Sequence, residues 1–455
     1  VTLLAARRQD APRRRTEAGL LCVGALVVLS ATLMQSLATT NALPSHVVVF
    51  ILFLVLFGVG VQVVNRLLAP NADPVIVPVA LFLNGLGYVM IERGDPGRAG
   101  QQLAWTVIGL GLYAAVLLVV KRSRDLERYR YLLAGVALLL LISPVMPGIG
   151  EKINGARLWV HLGSIEFQPV EIAKLLIVVF WASYLIDKRE LLTISTRRVG
   201  NRMLPDLRAF GPMVVAGVLA LLIILAEHDI GFSLLLFLVF LVTIWMTTGR
   251  WTYVAIGLVV FVLATFAASH VLGQVNERIS DWLDPWVRAT GTGYQPVQGE
   301  LAFARGGLFG TGIGFGSSSR ILPVSSSDFI FAVIGEELGF VGAAAVVCCY
   351  AIIVGAGLRA ARRARSEFAR LVAAGLTATL GLQAFLIMAG NTRLLPLTGV
   401  TLPFVSYGGS SLVANYALLA LLMRISNEGN QPVVEPAVPS WSSSTEATAI
   451  VAGAP

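Results

Sequence analysis

Long apolar blocks recur along the whole chain, separated by short clusters of charge, glycine and proline. Twelve can be counted, centred on 18–38, 46–64, 74–91, 102–120, 131–147, 171–186, 209–226, 231–248, 252–273, 331–357, 369–389 and 408–424. A hydrocarbon core of ~30 Å is crossed by a helix of about 20 apolar residues. The pattern therefore predicts an all-α polytopic membrane protein with about twelve transmembrane helices. Composition agrees: of 455 residues, 56% are hydrophobic and only 13% charged, against about a quarter charged in a soluble domain.

Basic residues favour cytoplasmic loops, so their distribution predicts the orientation. With the N-terminus inside, 24 Lys and Arg fall on the cytoplasmic side and nine outside, while Lys174 lies within a span. An odd number of spans would mix these populations, so both termini are expected in the cytoplasm. The net charge of +8 then calls for membrane lipid rather than nucleic acid as a partner, since a positive cytoplasmic face beside anionic lipid accounts for it. Cys22, Cys348 and Cys349 fall in spans and read as small apolar residues. His46, His161, His228 and His270 show no ligand spacing, which argues against a dedicated zinc cage. The first block is long and lacks a small-residue cleavage pattern, so it reads as a signal anchor.

Polar residues on the predicted outer side gather in a few places. Between blocks five and six, Gly150 to Leu176 carries Arg157, Trp159 and Gln168, then Pro169 as a helix start. Glu171 and Lys174 follow three residues apart, on one helix face, where they can pair. An interfacial anchor would use the same residues. Glu227, His228 and Asp229 interrupt two apolar blocks, which is costly unless they face a polar cavity. Asn391 to Leu412 places Pro396, Pro403, Gly408 and Gly409 beside Ser406, Tyr407, Ser410 and Ser411. That composition predicts irregular backbone lining a cavity or re-entering the membrane.

The longest polar stretch, 275–327, exceeds an ordinary connection, and Trp282, Trp286, Tyr294, Phe303, Phe309 and Phe315 argue against disorder. Its spaced glycines would let backbone approach a phosphate or a sugar. Asp328 is expected to cap or open the next span. Glu336 and Glu337 lie within about two turns of it, and at least one of these adjacent acids should face protein or water.

Several strings here resemble the SEDS family (shape, elongation, division and sporulation), the RodA/FtsW-type peptidoglycan glycosyltransferases: "NGARLWVHLGSIEFQPVEIAKL", "DIGFSLLL", "GTGYQPVQ", "GGLFGTGIG", "DFIFAVIGEELGFVG" and "LPLTGVTLPFVSYGGSSL". The segment "APNADPVIVPVALFLNGLGYVMIERGDP" looks most like the actinobacterial RodA branch. The resemblance implies a ten-helix core over 74–428, preceded by a basic segment 1–17 and two additional helices within 18–73. The 275–327 loop is then extracytoplasmic, and 429–455 a disordered cytoplasmic tail. It implies a bacterial plasma-membrane enzyme that polymerises lipid II in cell elongation and shape maintenance. A sugar hydroxyl of one lipid-linked disaccharide attacks the anomeric carbon of another and displaces undecaprenyl pyrophosphate. That chemistry needs a base and positive charge or a divalent cation, Mg or Mn, for the leaving diphosphate. A class B penicillin-binding transpeptidase would crosslink the product.

One departure touches the chemistry directly. The family's catalytic Asp stands six residues before the Tyr of a "DPxGxGYQ" string, and here that position is Arg288. Arginine is always protonated near neutral pH and cannot serve as a base. The nearest acid in the loop is Asp284, followed by Asp281; Asp284 is either a relocated base or a turn acid before Pro285. Arg288 suits diphosphate binding or a salt bridge to Glu300. The expected substrate contacts are Arg157, Glu171, Lys174, Arg288, Gln298, Asp328, Glu337 and Ser406. Two other functions share these features: a non-catalytic scaffold that binds lipid II and a transpeptidase, or a lipid II flippase.

Overall fold

The computed structural model describes residues 2–43, 47–146, 150–153, 156–162, 165–189, 197–199, 202–204, 230–271 and 273–431. Eleven of the twelve predicted blocks are helices: α1 (Thr2–Thr40), α2 (Val47–Leu68), α3 (Ile76–Gly94), α4 (Pro96–Val119), α5 (Arg130–Ile142), α6 (Val170–Asp187), α7 (Ile230–Thr248), α8 (Trp251–Val271), α11 (Ile330–Arg363), α12 (Glu367–Asn391) and α13 (Gly409–Asn430). Helices α9 (Gly273–Leu283) and α10 (Tyr294–Gly306) fold the long polar stretch. The seventh block, 209–226, and the Glu227–His228–Asp229 cluster lie outside the described residues. Among the described residues, eight helices are long and apolar enough to cross a membrane: α1–α4, α7 and α11–α13.

Local sequence sets the helix ends. Asp95 accepts from the Arg98 N–H at 3.1 Å, with Pro96 at the first position of α4. Ser366 caps α12 through the Ala369 N–H. Pro169 stands at the start of α6 as the sequence predicts. Helix α11 departs from expectation: Phe329 occupies the cap position with no side-chain cap. Asn391, from the end of α12, supplies the missing acceptor by taking the Ala332 N–H at 3.2 Å, and its amide donates to the Asp328 carbonyl at 2.7 Å. Asp328 is therefore not the cap.

The core sits around α13, which lies along α4 and against α6, α11 and α12, and α1 runs along α3. Close approach needs small residues. A Cβ at Gly87 would fall 2.3 Å from the Val405 carbonyl oxygen, and one at Gly409 2.2 Å from the Trp105 ring. By contrast α2 exposes Val48, Val49, Leu52, Val55 and Leu56 to its surroundings, as a helix facing lipid does.

Two regions depart from the all-α expectation. Three strands pair antiparallel, β1 (Gly150–Ile153), β2 (Ala156–Leu162) and β3 (Ile165–Phe167), in the order β1-β2-β3. Glu151 pairs with Trp159, and Val160 with Phe167. Strand β4 (Arg197–Val199) pairs antiparallel with β5 (Arg202–Leu204). The segment 392–408 has no regular structure, yet Val400, Leu402, Phe404 and Val405 in it are fully buried, as irregular backbone at membrane depth must be. Helix α13 runs to Asn430, into the predicted tail, because its last turn is clasped: Asn430 donates to the Asn71 carbonyl and Glu428 accepts from the Ser123 N–H.

Candidate functional site

The α9–α10 loop, the head of α11 and the segment 392–408 meet on one face of the bundle, called here the loop face. The geometry begins with a break in α11. Gly339 has φ +67° and ψ −168°, a conformation open to glycine and strained for other residues. The loop fills the break: the Thr311 and Gly312 N–H groups donate to the Glu336 and Glu337 carbonyls. In the other direction, the Phe340 and Val341 N–H groups donate to Gly307 and Leu308. Backbone bonds that the helix gives up are thus remade with the loop.

Glu336 and Glu337 sit just before this break, each 1% exposed. Glu336 accepts from the Ser318 N–H at 2.7 Å and the Ser317 hydroxyl at 3.1 Å, and pairs with Arg305 at 3.1 Å. Glu337 accepts from the Gly314 N–H at 3.0 Å and from Arg93 Nε at 2.9 Å. Arg93 is itself buried and also donates to the Gly316 carbonyl. The glycine-rich loop thus gives each carboxylate one backbone N–H, Gly314 to Glu337 and Ser318 to Glu336. A buried charge demands such partners.

The loop corner is more open. Asp281 is buried, accepts from the Thr292 hydroxyl at 3.0 Å and pairs with Arg288 at 3.6 Å. The expected Arg288–Glu300 bridge is absent, because Glu300 pairs with Arg393 at 2.7 Å and Asp281 stands closer to Arg288 along the same corner. Asp284 is exposed, and its Oδ1 takes the Trp286 N–H at 3.1 Å across the Pro285 turn. Trp282 Nε1 donates to the Arg393 carbonyl, and Arg278 to those of Leu397 and Thr398. These bonds fasten α9 to the irregular segment.

That segment also reaches the third charged station. Glu171 and Lys174 are fully buried and pair at 2.5 Å. Lys174 donates as well to Gln383 Oε1 at 2.6 Å, and Gln383 Nε2 donates to the Thr401 carbonyl at 2.9 Å. Nearby the Gln168 N–H donates to Ser410 Oγ at 2.8 Å. Ser406 works within the fold: its hydroxyl donates to the Ser327 carbonyl at 2.6 Å and accepts from the Leu402 N–H at 2.8 Å. Burial pushes the half-buried Asp328 carboxyl up, against the opposing pull of its Ser327 hydrogen bond and the Arg278 guanidinium.

The predicted site residues thus divide among stations with different partners. Glu171 and Lys174 share one; Asp328 and Ser406 lie at the head of α11; Glu337 belongs with Arg93; Arg288 and Asp284 lie at the corner. Gln298 is half-buried on α10, and the Arg157 side chain lies outside the described residues. Sequence reasoning missed Arg93, Gln383 and Asn391 as members. A polar amide inside an apolar block is the signal that could have found Gln383. Among the described residues, no three His, Cys, Asp or Glu side chains come together as a ligand set for a cation.

The comparisons with known proteins agree with this architecture. A family model for cell cycle proteins of the FtsW, RodA and SpoVE type matches residues 87–431. A Mycobacterium tuberculosis protein named peptidoglycan glycosyltransferase RodA is 40% identical over 433 residues, covering 92% of this chain and 92% of that protein. A Geobacter sulfurreducens protein named probable peptidoglycan glycosyltransferase FtsW is 32% identical, covering 81% of this chain and 97% of that one. Among solved structures, a chain described under "Structural coordination of polymerization and crosslinking by a peptidoglycan synthase complex" gives a TM-score of 0.64 at 26% identity, covering 79% of this chain and 99% of that chain. The Thermus thermophilus rod shape determining protein RodA gives 0.57 at 25% identity, covering 79% and 98%. The chain is a multi-pass membrane protein that belongs to the FtsW/RodA/SpoVE family of cell cycle proteins.

Proposed function

We propose that the chain is a peptidoglycan glycosyltransferase that polymerises lipid II in a bacterial plasma membrane, with both termini cytoplasmic and the loop face outside. The observation that carries this reading is the likeness, over 92% of both chains, to a protein named for that activity. In the reaction an acceptor hydroxyl oxygen attacks the donor's anomeric carbon. A glycosidic bond forms, the carbon–oxygen bond to the diphosphate breaks, and the diphosphate leaves with the electron pair. Asp284 takes the hydroxyl proton, since it is the exposed acid of the corner while Asp281 is engaged by Arg288 and Thr292. Arg288, 38% exposed on its side chain, supplies positive charge for the diphosphate. A class B penicillin-binding transpeptidase would receive the strand, as coupling of polymerisation to crosslinking in the similar complex suggests.

The test is polymerisation of purified lipid II by the full chain, alone and with candidate transpeptidases. Glycan strands that disappear in Asp284→Ala support the reading. No strands from the wild type with any partner would sink it. That outcome favours the scaffold reading, for which the specific observation is an arginine where the resemblance places the catalytic acid. Lipid II binding without turnover would then be expected.

A further inference from the structure

Helix α1 precedes the family core, yet it reaches the loop face at the buried acids. Gln35, near its end, is 6% exposed. In the orientation that satisfies both ends of its carboxamide, the nitrogen donates to the Val89 carbonyl at 2.9 Å and the oxygen accepts from the Arg93 N–H at 3.1 Å. One side chain of α1 therefore bridges the backbone of α3 at the residue whose guanidinium holds Glu337. One turn further on, Ala38 lies against the glycine-rich loop: a Cβ at Gly314 would fall 2.9 Å from Ala38 Cβ. Ile313 packs on the cluster of Val28, Ala31 and Val89 shared by α1 and α3. Gly314 is the residue whose N–H completes the Glu337 carboxylate.

The rotation of α1 is also fixed near the start of its membrane-crossing stretch, Arg14–Thr40. Glu17 accepts from Asn65 Nδ2 of α2 at 2.6 Å, and Asn65 Oδ1 accepts from the Tyr113 hydroxyl of α4 at 2.5 Å. Apolar contacts between helices in lipid are non-directional, whereas buried polar bonds at both ends select one rotation of the helix. With that rotation set, Gln35 and Ala38 face α3 and the loop, while Leu26, Met34 and Leu37 face outward.

We propose that Gln35 and Ala38 of α1 are positioning residues that hold the Arg93–Glu337 pair and the 310–316 loop in place. Both donors to Glu337 are held against α1, Arg93 through its backbone N–H and Gly314 through direct packing. A helix outside the family core is thus a working part of the loop face. Placement of these groups by α1 does not depend on which reaction the chain performs.

The experiment is hydrogen–deuterium exchange on the full chain in lipid nanodiscs, following a peptide that spans 310–318 and one within α13. Gln35→Met keeps the length of the side chain and removes both hydrogen bonds. Exchange in 310–318 should rise about tenfold, corresponding to loss of a buried hydrogen-bonded contact, with α13 unchanged. Ala38→Leu should do the same by pushing Gly314 away, and it decides the matter if Gln35→Met fails to insert. Leu26→Ala, on the outward face, should leave both peptides at the wild-type rate. Unchanged exchange at 310–318 in both variants would overturn the proposal, as would a rise spread equally over α13. Polymerisation by the wild-type chain is read separately: its absence sinks the glycosyltransferase reading and leaves the exchange result to stand or fall alone.

Discussion

Glu336 and Glu337 at the break in α11 are buried, and each carboxylate is met by at least two donors. Asp281 and Asp284, at the corner of the loop, lie on the same face with fewer bonds, and Asp284 is open to solvent. The difference follows from where each pair sits. A carboxylate inside the bundle is tolerable only when arginines and backbone N–H groups replace its water. The glycine-rich loop is shaped to do that for α11. Asp284, exposed at the corner, keeps its water and is free to accept a proton. Burial thus assigns the α11 acids to architecture and leaves Asp284, the open acid of the corner, for the proposed chemistry.

The largest effect should come at the corner. Asp284→Ala should lower lipid II polymerisation by about 10²–10⁴-fold, the usual range for loss of a general base, with unchanged expression and membrane insertion. Asp284→Asn should match it, because it keeps the shape and cannot take the proton. Strand synthesis at the wild-type rate in both would transfer the role to Asp281 and blunt the contrast between the two regions.

Next in size is the break in α11. Removing one partner of a buried ion pair leaves an uncompensated charge and costs about 3–5 kcal/mol. Glu337→Ala and Arg93→Ala should each lower thermal stability in detergent by that order, and the joint replacement Arg93→Met with Glu337→Met should recover much of it. If either single change is silent in a melting experiment, the acids are not structural. Lys174→Met should behave like these single changes, since Lys174 and Glu171 are both fully buried.

A smaller effect is expected at Arg288, whose pair with Asp281 is half-open. Arg288→Ala should cost at most about 1 kcal/mol of stability, so a shifted lipid II affinity in this variant would report binding rather than folding. Smallest is Asp328, whose carboxyl burial pushes up. Such a group binds its proton more tightly folded than unfolded, so stability falls as pH rises from the unfolded value toward the folded one. Asp328→Asn should remove that fall. Melting curves of wild type and variant should converge on acidification and separate toward neutral pH, with the variant the more stable; parallel curves would contradict the shift.

Much of the fold was legible because lipid imposes a simple rule: a helix must be apolar over the full thickness. Eleven apolar blocks are helices, eight of them long and apolar enough to span for that reason, and Glu171 with Lys174 could be paired from spacing alone. The partner choices were less legible. Asn391 caps α11 from 59 residues away, and Glu300 turns to Arg393 rather than Arg288, because a folded loop brings together residues that no local pattern links. The strands β1–β3 escaped notice since they are short and their alternation is masked by charge and glycine.

By itself the sequence determined that the chain crosses a membrane many times, that a long structured loop joins two spans, and that an arginine stands where the family carries its acid. Those properties are written in composition and order along the chain. Only the tertiary structure decided that the Gly314 and Ser318 N–H groups meet the Glu337 and Glu336 carboxylates, that Gln35 of a helix outside the core grips α3 beside Arg93, and that Asp284 stays open while Asp281 is covered. Hydrogen bonds and ion pairs act over a few ångströms in space, and which groups come that close is settled by packing rather than by distance along the chain.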